Sequence, residues 1–255
     1  MTPVDWDAYL ADFHRQRPGI TEDVLARAHA GSQTPYSWVA DAIEQPRSVV
    51  IDLACGSGPL HALVPRARWI GLDTSAAELA LARARGAATV VRASAESLPI
   101  RSSAAGVVMC SMALMIVHPL GAVLRELARV LRPAGRFVAL VPSDRPLTGR
   151  DRARYLRMLL ALRQRHPTFP NEPLRRDAAE VLSEVGLEVV ADERRRFAYA
   201  LPDERATRTL LRSLYLPGVP PARIAAAERV ARRWVGHELG LPLRRIVARS
   251  RAATG

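Results

Sequence analysis

A loop of small residues follows an acidic residue at the end of an apolar run, and this stretch is well suited to hold a ligand. The run Val49–Leu53 is rich in β-branched residues and contains Asp52, and Ala54, Gly56 and Gly58 follow directly. Glycine has no Cβ, so such a loop can turn tightly and let a ligand touch its backbone. The pattern predicts a buried strand that ends in a ligand-binding loop.

Two common phosphate-binding loops are excluded by the residues that follow. A dinucleotide fingerprint has a third glycine three positions after the second, and His61 stands there instead. The lysine of a loop that binds nucleoside triphosphates (a P-loop) is also missing, because Leu60 and His61 follow Gly58-Pro59. A plain tight turn after a buried strand stays open as the alternative at this point.

A second acidic residue ends the next predicted strand, Arg68–Leu72. Asp73 is followed by Thr74 and Ser75, and a helix is expected from Ala76. A carboxylate at the end of the second strand can accept both hydroxyls of a ribose, as acidic residues do in nucleotide-binding folds. The alternative is that Asp73 caps the helix, but Ser75 is placed better for that role.

Three further stretches follow in the order and spacing of one known family. They are Ala93–Ile100, Ser111–Leu114 and the turn Arg132–Gly135. With the loop and Asp73, they resemble the class I, seven-stranded S-adenosylmethionine-dependent methyltransferases. The first family motif is acid-x-Gly-x-Gly-x-Gly, often with alanine first, as in this chain. The resemblance spans roughly residues 49–191.

The resemblance implies S-adenosylmethionine as the cofactor and assigns residues to its parts. Asp52, Ala54, Gly56 and Gly58 would hold the methionine half, Asp73 the ribose, and Ala95 and Glu96 the adenine, while Thr74 and Ser111 would also line the cofactor site. The chain departs from the family at two acidic positions, where Ser94 and Gly106 stand. These departures put the adenine contact in doubt or shift it to Glu96.

The alternation of strands and helices predicts an α/β fold. We expect a doubly wound, seven-stranded, mostly parallel sheet with helices on both faces, an N-terminal helical lead and a helical insertion after the fifth strand. All of 1–255 is then a single domain, because no repeat or low-complexity linker divides it. Its predicted parts are the lead (1–45), the cofactor-binding core (46–143), the insertion, interpreted as a substrate lid (144–173), and the C-terminal part (174–255).

No general base can be assigned from the residues. If the acceptor is a phenol or an amine, the candidates to take its proton are His14, His118, Tyr155 and His166. In such a family the helices of the lead lie over the cofactor, which makes His14, Tyr36 and Trp38 candidate pocket residues, although the two aromatic side chains could equally pack on the sheet.

Composition limits the partners. The net charge is +12, all 37 basic residues are arginine, and most of the excess lies after Ser143. A basic C-terminal part can meet RNA, but no aromatic stacking cluster or zinc-binding cysteine set accompanies it. The two cysteines have no metal-ligand spacing, Met1–Leu10 is not a signal peptide, and no apolar run is long enough to span a membrane. We therefore expect a cytoplasmic protein without a metal or a membrane partner, of unknown oligomeric state.

These observations predict a methyltransferase that acts on a small-molecule metabolite by O-, N- or C-methyl transfer. The first alternative is an RNA methyltransferase, because of the basic C-terminal part. The second is a module that binds S-adenosylmethionine without catalysis, because of the missing acids at Ser94 and Gly106.

Overall fold

An eight-stranded sheet forms the centre of the computed structural model, which describes residues 4–43, 48–64, 68–171 and 177–251. Its strands are β1 (Ala28–His29), β2 (Val49–Leu53), β3 (Arg68–Asp73), β4 (Val90–Arg92), β5 (Ala105–Ser111), β6 (Leu131–Pro142), β7 (Leu187–Leu201) and β8 (His237–Ser250). Their order in space is β1-β7-β8-β6-β5-β2-β3-β4. The strands from β4 to β6 in that order are parallel, whereas β8 runs antiparallel to β6 and β7.

Helices cover both faces of the sheet. They are α1 (Trp6–Gln16), α2 (Ile20–Leu25), α3 (Pro35–Ala40), α4 (Ala76–Ala84), α5 (Leu120–Val130), α6 (Gly149–Leu162), α7 (Ala178–Ser183), α8 (Glu204–Arg212) and α9 (Pro221–Ala231). One core cluster joins the sheet to α2, α3, α4, α6, α8 and α9, and the other joins it to α5 and α7. The predicted α/β class with a mostly parallel sheet is confirmed.

The number of strands differs from the prediction by one short edge strand. β1 has two residues, and it pairs antiparallel with β7 through Ala28 opposite Tyr199 and His29 opposite Ala198. Two residues carry no periodic pattern, so the sequence did not separate this strand from the N-terminal helical lead. The strand is defined only by its pairing with β7, and the paired residues are far apart in the sequence.

Several element ends also differ from the prediction. Thr21 is followed by Glu22 and Asp23, a pattern that predicts a helix with Thr21 as its N-cap. The helix α2 begins instead at Ile20 with Gly19 as its N-cap, and the Gly19 N–H donates to the Glu78 carboxylate at 3.0 Å. The sequence pattern predicts the last strand over Arg244–Ala248 only. In the structure it extends over the whole of β8, because it pairs along its length with β7. The predicted part boundaries at 45/46 and 173/174 fall outside the described residues.

Helix α6, predicted as a substrate lid, packs on the sheet through a buried carboxylate. Asp151 is 1% exposed and accepts from Nε of Arg196 on β7 at 2.7 Å, from the Gly240 N–H on β8 at 2.8 Å, and from the Thr148 N–H at 3.0 Å. The Tyr155 hydroxyl donates to the Gly240 carbonyl at 2.9 Å. Burial raises the pKa of Asp151, but the hydrogen bonds from Arg196, Thr148 and Gly240 lower it by more, so the pKa lies well below its usual value. These contacts tie the helix to the sheet, and the interpretation of the whole segment 144–173 as a substrate lid stays a prediction.

We expect Asp151→Ala to lower the free energy of unfolding by about 3–5 kcal/mol, because it leaves the Arg196 guanidinium and the Gly240 N–H without their acceptor. Urea denaturation followed by circular dichroism measures this loss. The Asp151 carboxylate contributes fully to the free energy of unfolding above its unfolded-state pKa of about 4, and this contribution is lost as the pH falls towards the lower pKa of the folded state. The difference in stability between wild type and variant should therefore shrink in acid.

The matched control is Asp12→Ala, which removes an exposed ion pair with Arg15. This change should cost less than about 1 kcal/mol. Equal losses for the two variants would contradict the role given to the buried carboxylate.

Candidate functional site

The carboxyl ends of β2, β3, β4 and β5 meet around a cavity of about 620 Å³. After β2 the chain turns to β3 on one side, while β5 pairs with β2 on the other side. Such a reversal of strand order opens a crevice at the carboxyl edge of a sheet, where ligands bind in open α/β folds. The cavity volume lies in the usual range for a small-molecule site, about 300–1,000 Å³.

The loop after β2 is shaped by its small residues. Ala54, Gly56 and Gly58 all have positive φ angles, of 53°, 52° and 73°. Ala54 and Gly56 line the cavity, whereas Gly58 lies against α4. A Cβ added at Gly58 would be 3.4 Å from the Cβ of Ala82. A Cβ on Gly56 would collide with Oε1 of Glu22. Glycine at position 56 therefore lets this carboxylate approach the loop.

Asp73 joins the loop to the end of β3. Its Oδ2 accepts from the Gly56 N–H at 2.9 Å, and its Oδ1 accepts from the Ser75 N–H at 2.8 Å. Burial raises the pKa of Asp73, and these two backbone hydrogen bonds oppose the rise only in part. Thr74 and Asp73 both line the cavity. The side chain thus faces the glycine loop, and each carboxylate oxygen keeps a lone pair for a further donor.

A cluster of titratable side chains stands beside Asp73. Glu22 accepts from the Ser57 N–H at 3.2 Å, and Glu78 is 1% exposed and contacts Nδ1 of His14 at 2.8 Å. Nε2 of His14 lies 3.2 Å from the Tyr215 hydroxyl. Glu22, His14 and Tyr215 line the cavity. Three segments that are far apart in the chain therefore place two carboxylates, an imidazole and a phenol at one wall.

Burial and mutual repulsion shift these groups. Burial raises the pKa of Glu22 to about 7, with a further contribution from the Glu78 carboxylate. Burial alone would lower the pKa of His14, but the hydrogen bond with Glu78 and the nearby carboxylates of Asp73 and Glu22 raise it by more. The wall therefore carries excess negative charge, which favours a cationic ligand.

Asp52, predicted to hold the cofactor, does not line the cavity. It is 1% exposed and points into the core that contains Trp69, because its neighbours Ile51 and Leu53 point to the other face of the sheet. Burial raises the pKa of Asp52 to about 8. Asp52 therefore lies beneath the loop rather than facing a ligand.

The far wall of the cavity comes from the ends of β4 and β5. Ser94, Ala95 and Glu96 line it after β4, where the Ser94 hydroxyl accepts from the Glu96 N–H at 3.3 Å. At the end of β5, Ser111 lines the cavity, and its buried Oγ has no hydrogen-bond partner among the described residues. A buried hydroxyl without a partner is costly, which fits a ligand with a polar atom at this point.

The next residues turn the cavity apolar. Met112, with φ of 59°, and Ala54 both have left-handed backbones, a conformation that costs a non-glycine residue about 1–3 kcal/mol and is concentrated at functional sites. Apolar side chains continue the wall; they are Leu10, Met112, Ala113, Ile116, Val117 and Val123. The cavity thus has one polar, acidic end and one apolar side.

The structure brings most of the predicted site residues together. Those that line the cavity are Ala54, Gly56, Asp73, Thr74, Ala95, Glu96, Ser111, His14, Tyr36 and His118. Asp52 and Gly58 lie behind the loop, and Trp38 is buried between Arg195 and Arg245. Two candidate bases do not line the cavity: Tyr155 lies in the Asp151 cluster, and exposed His166 contacts only the carbonyl of Pro167 among the described residues.

Sequence analysis missed Glu22, Glu78 and Tyr215. Glu22 and Glu78 are in the first turns of α2 and α4, where acidic residues are common for reasons of helix electrostatics. Tyr215 follows α8 and carries no motif. No local signal distinguishes them, because only the packing of α1, α2 and α4 brings them to the loop.

The residues present fit an adenosyl sulfonium ligand. Asp73 is free to accept from a diol, the acidic wall suits an ammonium and a sulfonium, and the unpartnered Ser111 hydroxyl faces the same cavity. Among residues 4–43, 48–64, 68–171 and 177–251, no group of three or more side chains is arranged to hold a metal ion. No helix in these ranges has the length and apolarity to cross a bilayer.

A family model described as a methyltransferase domain matches residues 51–139, which include the loop, Asp73, Glu96 and Ser111. A ubiquinone/menaquinone biosynthesis C-methyltransferase from Rubrivivax gelatinosus is 36% identical over 107 residues, which are 40% of this chain and 43% of that protein. The chain spans less than half the length of the curated relatives it matches.

Solved structures extend the likeness to most of the chain at the level of the fold. The YcgJ protein from Bacillus subtilis has a TM-score of 0.57 at 18% identity and covers 86% of this chain and 98% of its own. The [4+2]-cyclase SpnF has a TM-score of 0.57 at 20% identity, with 86% of this chain and 81% of its own covered. With the site geometry, these findings show that residues 51–139 are similar to the class I, Rossmann-like methyltransferases whose cofactor is S-adenosylmethionine, and that most of the chain has their fold.

Proposed function

We propose that the protein transfers a methyl group from S-adenosylmethionine to a small organic acceptor. One observation carries this proposal. A single cavity joins the glycine loop and Asp73, which suit the cofactor, to the apolar wall that contains Met112 and Ile116, which suits an acceptor. A methyl donor and its acceptor must meet in such a shared, water-poor space.

The cofactor contacts are proposed residue by residue. Ala54, Gly56 and Thr74 lie along the methionine half and Asp73 accepts from the ribose. Ala95 and Glu96 flank the adenine, and Ser111 offers its hydroxyl. Asp52 acts indirectly, by supporting the loop from below. The carboxylates of Glu22 and Glu78 balance the positive charges of the ligand.

The acceptor is proposed to have an apolar body with a ring that can be methylated. The apolar wall supports this idea, and the curated relatives are named for C-methylation in quinone biosynthesis. An RNA acceptor is the first alternative, motivated by the basic C-terminal part. A cofactor-binding protein without methyl transfer is the second alternative, because acidic residues of the family are missing at Ser94 and Gly106 and because one fold can serve several functions.

His14 is proposed to accept the proton that the acceptor loses. S-adenosylmethionine, when bound, supplies a methyl group on a positively charged sulfur. The acceptor atom forms the new bond to carbon, the S–CH₃ bond breaks, and a ring or hydroxyl proton must leave. Glu78 holds Nδ1 of His14 at 2.8 Å and so directs Nε2 towards Tyr215 and the cavity. His118, on the opposite wall, is the alternative base.

The finer predictions on organisation and location remain proposals. We propose one domain over 1–255 that acts in the cytoplasm, where its buried free thiols, Cys55 and Cys110, would stay reduced.

We expect the purified protein to transfer label from methyl-labelled S-adenosylmethionine to a member of a panel of reduced quinone precursors, phenols and amines. Chromatography of the products measures the transfer. Label in a total RNA sample but in none of the small molecules would favour the RNA alternative. Cofactor binding without any transfer would favour the non-catalytic one.

We expect Asp73→Asn to weaken S-adenosylmethionine binding by at least about tenfold and Asp73→Ala by more, because charged hydrogen bonds to the ribose are lost. Titration calorimetry measures the affinity, and thermal unfolding verifies that both variants fold. Asp144→Asn, at an exposed position outside the cavity, is the control and should bind like the wild type. Folded variants with wild-type affinity would rule out the ribose role.

Glu78→Gln should lower the pKa of His14, because burial is then opposed only by the more distant carboxylates of Asp73 and Glu22. NMR titration of the imidazole, assigned with His14→Gln, measures the shift. If His14 is the base, the acidic limb of the kcat/KM profile should move to lower pH in the same variant. Glu180→Gln, on α7 outside the cavity, should change neither quantity. A moved NMR pKa with an unmoved kinetic limb would exclude His14 as the base.

A further inference from the structure

The outer face of helix α6 carries two exposed leucines among arginines. Leu156 is 58% exposed and Leu160 is 66% exposed, and these are the largest values among the exposed large hydrophobic side chains of the described residues. They lie one turn apart, so their side chains are neighbours on the helix surface. This pair is an apolar spot on a surface that is otherwise strongly basic.

The arginines flank the leucine pair on both sides. Arg152 stands one turn before Leu156 and Arg163 lies just after Leu160, while Arg150 and Arg157 lie on the neighbouring strip of the helix. All four are exposed, and no carboxylate of the described residues is within ion-pair distance of them. We call these six residues, Arg150, Arg152, Leu156, Arg157, Leu160 and Arg163, the α6 face.

The opposite side of the helix explains why the α6 face stays outward. Asp151, Met158 and Leu162 are buried, and Asp151 is bound to Arg196 and Gly240 of the sheet. The helix therefore cannot roll to hide its leucines without breaking that cluster. The apolar spot is a fixed feature of the surface.

We propose that the α6 face docks on an anionic lipid bilayer. Exposed guanidinium groups attract lipid phosphates, and leucines between them can enter the interfacial region. An RNA would use the arginines equally well, but it would gain little from two leucines without aromatic stacking partners. The leucines thus select the bilayer over a nucleic acid. This docking would replace the expectation that the protein has no membrane partner.

The position of the segment gives the docking a consequence for the site. Asn171, beyond α6, donates to the carbonyls of Leu114 and Val117 at 2.8 and 2.7 Å. These residues flank Ile116 in the apolar wall of the cavity. The chain segment that meets the bilayer is therefore continuous with one that supports this wall. The docking itself does not depend on methyl transfer.

Co-sedimentation of the full chain with vesicles tests the proposal. The wild type should bind vesicles of equal parts phosphatidylcholine and phosphatidylglycerol and should not bind phosphatidylcholine alone. Leu156→Ser/Leu160→Ser should weaken the binding by at least about tenfold. Arg152→Gln/Arg157→Gln should weaken it by about thirtyfold. Circular dichroism verifies that each variant folds.

The matched control is Arg205→Gln/Arg208→Gln, which removes two exposed charges from α8 and should leave vesicle binding unchanged. Equal losses for both arginine pairs would overturn the α6 face and leave only general charge attraction. Failure of the wild type to bind anionic vesicles would overturn it as well. The proposal would also be overturned if a short RNA bound the protein through Arg152 and Arg157 and the leucine variant bound vesicles as well as the wild type.

Discussion

The carboxylate of Asp73 links the two strand ends on which the site depends. One of its oxygens binds the Gly56 N–H of the loop after β2, and the other binds the Ser75 N–H before α4. Backbone donors in a tight loop and at a helix start have no partners within their own elements. The Asp73 side chain accepts from one donor of the loop and from one donor at the start of the helix, and so fixes the distance between these two elements. The reversal of strand order opens the cavity at this edge, and Asp73 fixes the two turns that line it relative to each other.

The acidic wall is tolerated because its members share protons and backbone donors. Glu22 is bound by the Ser57 N–H, Glu78 by the Gly19 N–H and His14, and the pKa of Glu22 is raised to about 7. Isolated buried carboxylates would be costly, and each of these has at least one donor. The excess charge that remains is suited to a ligand with positive groups. The same arrangement that costs stability thus favours the cofactor of the family.

The C-terminal half of the chain divides its charges between structure and surface. Arg196 binds Asp151, Arg244 binds Asp192 at 2.6 Å, and Arg245 lies over the ring of Trp38 with 4.7 Å between guanidinium carbon and ring centre. These arginines hold β7 and β8 to their neighbours. The arginines of the α6 face have no such role. Net charge alone is therefore a poor indicator of binding partners, and the position of each guanidinium group is a better one.

The local parts of this protein can be predicted from its amino-acid sequence. The loop after β2, the cap of α4 at Ser75, the end of β3 at Asp73 and the α/β class all follow from short patterns, because strand period, glycine content and capping are properties of neighbouring residues. The tertiary structure alone decided which side chains meet. It brought Glu22 and Tyr215 to the cavity, placed Glu78 against His14, and turned Asp52 into the core. It also placed Tyr155 in a cluster with the sheet and added β1 to the edge. Each of these depends on contacts between distant segments, for which no local pattern exists.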